Sequence, residues 1–174
     1  MNKELELYIK EHLERYSDIE KTYRSERKAK SSAPFLGHAK YVALDECCLE
    51  SRSIDDYIND NKDENKFQKL LFNHIDRKNL KDSDVYNKAN IDRRLFSKIR
   101  SDSNYHPSKE TVIQLAVALE LSLDELEDLL LSASYSLPKN NLFDIIIRFC
   151  FEKKEYNLMK INSYLDEHNC KILA

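Results

Sequence analysis

Arg93, Arg94, Ser97 and Lys98 stand at spacing i, i+1, i+4 and i+5 within DRRLFSKIR. On a helix that spacing gathers all four on one side, while Phe96 and Ile99 supply an opposite, inward face. Two guanidiniums, a hydroxyl and an ammonium on one helical face suit nucleic acid. An arginine there can hydrogen-bond guanine O6 and N7 together, which contributes ~1–3 kcal/mol of discrimination. Arg100 adds a cation further along, and Asn104, Tyr105 and His106 in the following loop are placed to touch backbone phosphates. The plainer alternative is that Arg93, Arg94, Lys98 and Arg100 only solvate an exposed helix and pair with the acidic run Asp124 to Asp128, with His106 an ordinary loop residue.

Other chemistries find little support. His12, His38, His74, His106 and His168 are scattered without an HExxH pair, and His168 with Cys170 makes only an isolated HxC. A single glycine, Gly37, excludes a glycine-rich phosphate loop. Cys47, Cys48, Cys150 and Cys170 form no CxxC and read as reduced thiols of a cytoplasmic protein. No catalytic centre, metal or cofactor is expected.

The elements that must position the four residues follow from Leu80 to Arg100, which reads as two short helices joined by a tight turn. Asp82, Ser83 or Asp84 is expected to cap the first, Val85 and Ala89 repeat at i and i+4, and Asn90 follows as a left-handed stop. Asp92 is the expected N-cap of the second. Upstream, Phe67, Leu70, Leu71, His74 and Ile75 define a helix over about 64–78. Downstream, a loop with Pro107 leads to a helix capped by Ser108, with Val112, Leu115, Ala116 and Leu119 on one face, and then to Ser122 and Glu125 in capping-box positions. Beyond Pro138 a helical pair is expected over 141–153 and 156–167. Its first member is apolar nearly all round, so more than one face needs covering, either by the chain's own core or by a second copy in a homodimer.

The N-terminal third reads differently. Leu5, Tyr8, Ile9 and Leu13 predict an amphipathic helix over 3–16, Ser17 to Lys40 reads as a linker or extended arm, and residues 41–60 as holding a short helix. The expected division is therefore 1–63, 64–135 and 136–174.

Composition agrees with an all-helical chain, since 174 residues contain only one glycine and three prolines. No apolar run approaches the ~20 residues needed to span a bilayer, so no membrane partner is expected. The net charge of −3 excludes a surface that is basic throughout, so any nucleic-acid face must be local. Charge is indeed segregated. Residues 66–109 hold eleven basic side chains against five acidic, whereas 110–134 hold six acids and no base.

From Phe67 to Leu130 the order of helices, the basic second helix and TVIQLAVALELSLDELEDLL resemble the lambda-repressor-like (Cro/XRE-type) helix-turn-helix family. Thr111, Leu115, Ala116, Ala118, Leu119, Ser122, Asp124, Glu125 and Leu126 stand in that family's closing pattern. More narrowly, ANIDRRLFSKIRSD with YHPSKETVIQLAVALEL is similar to a bacterial group common in Firmicutes and often labelled transcriptional regulator. The resemblance implies an all-α lambda-repressor-like bundle, here with an extra N-terminal helical arm and a C-terminal helical pair. It implies a transcriptional regulator that reads double-stranded DNA in the major groove with residues 92–100. The sequence departs from the pattern in three places. Tyr86 replaces a small alanine, Asp82 a phosphate-contacting polar residue, and Asn90 the turn glycine. The acids at 82 and 84 repel phosphate and favour a second expectation, a protein-interaction or signalling adaptor on the same scaffold that no longer binds DNA.

Overall fold

A computed structural model describes residues 2–31, 66–102 and 105–173, with side chains described as far as Thr22 in the first stretch. Among them the protein is all-α, with eight helices and no strand: α1 (Lys3–Ser31), α2 (Lys66–Arg77), α3 (Asp82–Lys88), α4 (Arg93–Ser101), α5 (Lys109–Ala118), α6 (Leu123–Ser132), α7 (Leu142–Glu152) and α8 (Leu158–Glu167). Met1–Ser17 with Asn65–Ala174 makes one compact unit and Asp18–Glu64 a second. The helix expected within 41–60 lies outside the described residues. No helix among the described residues is long and apolar enough to cross a membrane.

α1 continues to Ser31, past Ser17, where the sequence pattern predicts a linker. Loss of apolar periodicity does not end the helix. Just beyond Ser17 it carries local polar contacts, Lys21 with Asp18 at i,i+3 and the Thr22 hydroxyl donating 2.8 Å to Asp18 O. Its first turns dock as their apolar stripe requires. Leu5 and Ile9 are buried, the Tyr8 ring meets Phe149 edge-on at 5.2 Å, and Tyr8 Oη donates 2.7 Å to Glu152. Glu4 pairs with Lys153 beside them.

α5 is the axis of the body. Every residue from Thr111 to Ala118 is buried, not only the face of Val112, Leu115 and Ala116. Ile113, Gln114 and Val117 on the remaining sides need cover too, and α3 and α6 pack directly against the helix. α2 closes on α6 with Phe67, Leu71, His74 and Ile75 inward. α7 behaves in the same way: Asp144 to Phe151 are all buried, and α1, α6 and α8 supply the cover. The apolar girth of α7 is therefore spent inside this chain, which removes the observation that suggested a homodimer seam.

Two partly buried ion pairs fasten α7 to the rest. Lys109 at the start of α5 holds Asp144, and Arg148 holds Glu127 of α6 while donating 3.1 Å to Leu137 O. Burial still lifts the Asp144 carboxyl above its usual range, against the pull of Lys109. These contacts bind the C-terminal pair to the central helices as one packed unit.

Six helix ends close with the same geometry and without glycine. Asn79, Asn90, Glu120, Ser134, Lys154 and Asn169 take φ between 49° and 59°. In each case the next amide reaches back five residues, as Ile91 N does to Tyr86 O (2.9 Å) and Glu155 N to Cys150 O (2.8 Å). The asparagines enter this region at little cost, whereas Glu120, Ser134 and Lys154 carry side-chain strain there. Lys154→Gly and Ser134→Gly should each add up to ~1 kcal/mol and raise Tm by roughly 2–4 °C in thermal unfolding.

His74 generates a second prediction. It is buried, its Nδ1 lies 3.2 Å from Arg77 Nη2, and its Nε2 has no hydrogen-bond partner. Burial pushes its pKa below 6.5, with Arg77 and Lys78 in the same sense and Glu125 and Asp128 opposing. The unfolded chain thus takes up a proton near pH 6.5 that the folded one resists, so stability declines as pH falls through that window. In urea titrations at pH 7 and pH 5, His74→Gln should flatten this decline. The depressed carboxylates Glu110, Glu120 and Glu125 act below about 4.5, outside this window, and the raised Asp144 carboxyl works in the opposite sense, taking up its proton in the folded chain first.

Candidate nucleic-acid interface

α4 is a short helix fixed at both ends. At its start Asn90 takes φ 54°, turning the chain so that α4 begins three residues further on. Asp92 then caps it, its Oδ1 accepting from Arg94 N at 2.6 Å. At its end Gln68 of α2 donates Nε2 to Ile99 O (2.6 Å) and to Asp102 O (2.7 Å), two carbonyls that a helix terminus leaves without helical partners. Between the ends Phe96 and Ile99 are buried, and Phe96 meets Phe72 of α2 at 6.2 Å and Tyr86 of α3 at 5.8 Å. The large side chain at position 86 is thus accommodated by stacking against α4, half-buried at the seam between the two helices.

The opposite face is polar and open. Arg93, Arg94, Ser97 and Lys98 are exposed, and with Ser101 they line one shallow depression along α4. Neither Arg93 nor Arg94 has an ion-pair partner among the described residues. Lys98 Nζ sits 4.6 Å above the Tyr105 ring, so these two residues are brought together. A nine-residue helix carries the group, and an α-helix with its side chains, about 10–12 Å across, fits a B-DNA major groove about 12 Å wide.

The remaining candidates are placed differently. Arg100 is no free cation, because its guanidinium pairs with Asp82 at 3.0 Å and lies 4.5 Å over the Phe72 ring. His106 turns to the other side of its loop, ring against Tyr135 at 5.2 Å, and Tyr135 Oη donates 3.2 Å to Pro107 O. Asn104 lies outside the described residues. The acids of α6 do not hold the α4 cations either: Glu125 pairs with Arg77 and Glu127 with Arg148. Glu120, at the turn before α6, pairs with Lys88 of α3. Part of the basic excess is therefore consumed in holding α2 and α3 against the acidic helices, and the exposed remainder includes Arg93 and Arg94 at the start of α4.

Asp82 does not cap α3 as expected. The N-cap is Lys81, which offers no side-chain acceptor, and Asp82 turns its carboxylate to Arg100 across a groove also lined by Tyr86, Arg93 and Ser97. Gln68 and the Asp82–Arg100 pair have no local signature, since the contacts span 31, 34 and 18 positions. Among the described residues no group of three His, Cys, Asp or Glu is arranged to hold a metal ion. Burial pushes the Cys150 thiol up to about 12, so it carries no thiolate at neutral pH.

Compared with protein-family models, with curated proteins and with solved structures, the chain matches none.

If Gln68 fixes the end of α4, Gln68→Ala takes the side-chain donor from Ile99 O, while Asp102 O keeps the Tyr105 amide, and should cost about 1–2 kcal/mol. Hydrogen exchange should then quicken in α4 before it does in α5.

Proposed function

We propose that α2 to α6 form a helix-turn-helix bundle of the lambda-repressor-like kind, and that the protein is a bacterial transcriptional regulator which inserts α4 into the major groove of double-stranded DNA. The observation that carries this reading is the exposed quartet Arg93, Arg94, Ser97 and Lys98 on a helix fixed at both ends, with both arginines unpaired among the described residues. Fixed ends matter because base readout demands a set geometry, and a bidentate arginine loses its selectivity when its helix drifts. Lys98 and Tyr105 lie further along and suit phosphate or sugar, which sets register and carries no sequence information.

The acids Asp82 and Asp84 at the opening of α3 support a second reading, a protein-interaction adaptor on the same scaffold. Salt separates the two. A DNA reader binds duplex at near-physiological ionic strength with a log K that falls steeply with log salt, while an adaptor leaves duplex unshifted.

With a site selected from random duplexes, Arg93→Ala and Arg94→Ala should each weaken binding about 5- to 100-fold, the equivalent of ~1–3 kcal/mol. Binding to unrelated duplex should fall far less. Equal losses on both would remove base reading from these residues.

A further inference from the structure

The quartet on α4 does not act alone in its groove. Arg93 and Ser97 also line the depression between α3 and α4 that contains Asp82 and Arg100. There the two charges face each other at 3.0 Å, and the Arg100 guanidinium is further occupied by the Phe72 ring at 4.5 Å. Both partners remain partly open to solvent. A carboxylate so close cancels most of the long-range attraction that Arg100 would exert on a phosphate.

We propose that Asp82 is an affinity-limiting residue: by neutralising Arg100 beside the reading head, it lowers sequence-independent attraction to the DNA backbone, so that tight binding at a given salt concentration requires the base contacts of Arg93 and Arg94. The inference rests on the proposed DNA-reading role of α4 and adds what controls it. Backbone attraction is the sequence-independent part of DNA binding, and each phosphate neutralised adds about 0.9 to the slope of log K against log salt. A cation cancelled within the protein adds no such contact. A backbone contact strengthens selected and unrelated duplex alike, so cancelling it lowers both affinities by a similar factor and leaves unrelated DNA, which has no base contacts to hold it, weakly bound.

The charge distribution agrees with this assignment. On the far side of α3, Lys88 is likewise paired, with Glu120. Arg100 and Lys88 are thus neutralised from within, while Arg93 and Arg94 have no ion-pair partner among the described residues.

The experiment titrates the full chain with a selected duplex and with an unrelated duplex of equal length, each at several salt concentrations. The variants are Asp82→Asn, Asp82→Ser, Arg100→Ala and the double variant Asp82→Asn with Arg100→Ala, each checked for an unchanged helical signal and melting transition. Removing the carboxylate by either substitution should raise affinity for the unrelated duplex roughly five- to tenfold near 0.1 M salt and steepen its salt slope by about 0.9. The selected duplex should gain by a similar factor. Arg100→Ala leaves the Asp82 carboxylate unpaired beside the groove and should weaken binding to both duplexes, and the double variant should return to the parent.

Two results would overturn the inference while leaving DNA reading by α4 intact: an unrelated-duplex affinity and salt slope unchanged in both Asp82 variants, or a double variant that keeps the full gain of Asp82→Asn. Failure of the parent and of both Asp82 variants to bind any duplex would overturn the inference together with the reading on which it rests.

Discussion

Eight consecutive buried residues in α5, Thr111 to Ala118, impose the constraint on which the rest of the structure depends. A helix on a protein surface buries one stripe, and a helix without a wet side must be enclosed. α3 and α6 do this directly, α2 closes behind α6, and α4 is held to α3 and α2 through Phe96. The helix that carries the arginines is thus positioned by a core in which they take no part. Polar fixings then remove the remaining freedom, Asp92 at one end of α4 and Gln68 at the other. A burial requirement in one helix becomes the rigidity of another.

The economy of charge follows the same logic. The basic excess of residues 66–109 divides into cations that work inside the molecule and cations that face outward. Arg77 and Lys88 join the middle helices to acids at 125 and 120, and Lys109 reaches the buried Asp144. Exposed pairs of this kind contribute little stability each, yet they fix which positive charge is left over. What is left over includes Arg93 and Arg94 at the start of α4, in a protein whose total charge is negative.

How much of this was legible in the sequence depended on range. Caps at Asp92, Ser108 and the Ser122–Glu125 box were readable because donor and acceptor lie two or three residues apart. Asn90 was readable as a left-handed stop because asparagine tolerates that region. Arg93, Arg94, Ser97 and Lys98 were readable as one face because helical spacing alone gathers them. Periodicity failed at α5 and α1 for opposite reasons. In α5 a second buried face carries no polar contrast to reveal it, and in α1 the helix outlasts its apolar stripe on ion pairs. Asp82 misled because its type suits a cap, while the position that needed one fell on Lys81. Its partner Arg100, like the contacts of Gln68, became visible only once separate helices met.

The central claim is that DNA meets this protein at the exposed start of α4. Titrating the isotopically labelled chain with its selected duplex, while following backbone amide resonances at about 0.15 M salt, tests it most directly. The account predicts the largest shifts at the amides of 93–98 and of Tyr105, with α7 and α8 undisturbed. Shifts centred on another face, or none as the duplex reaches excess, would contradict it.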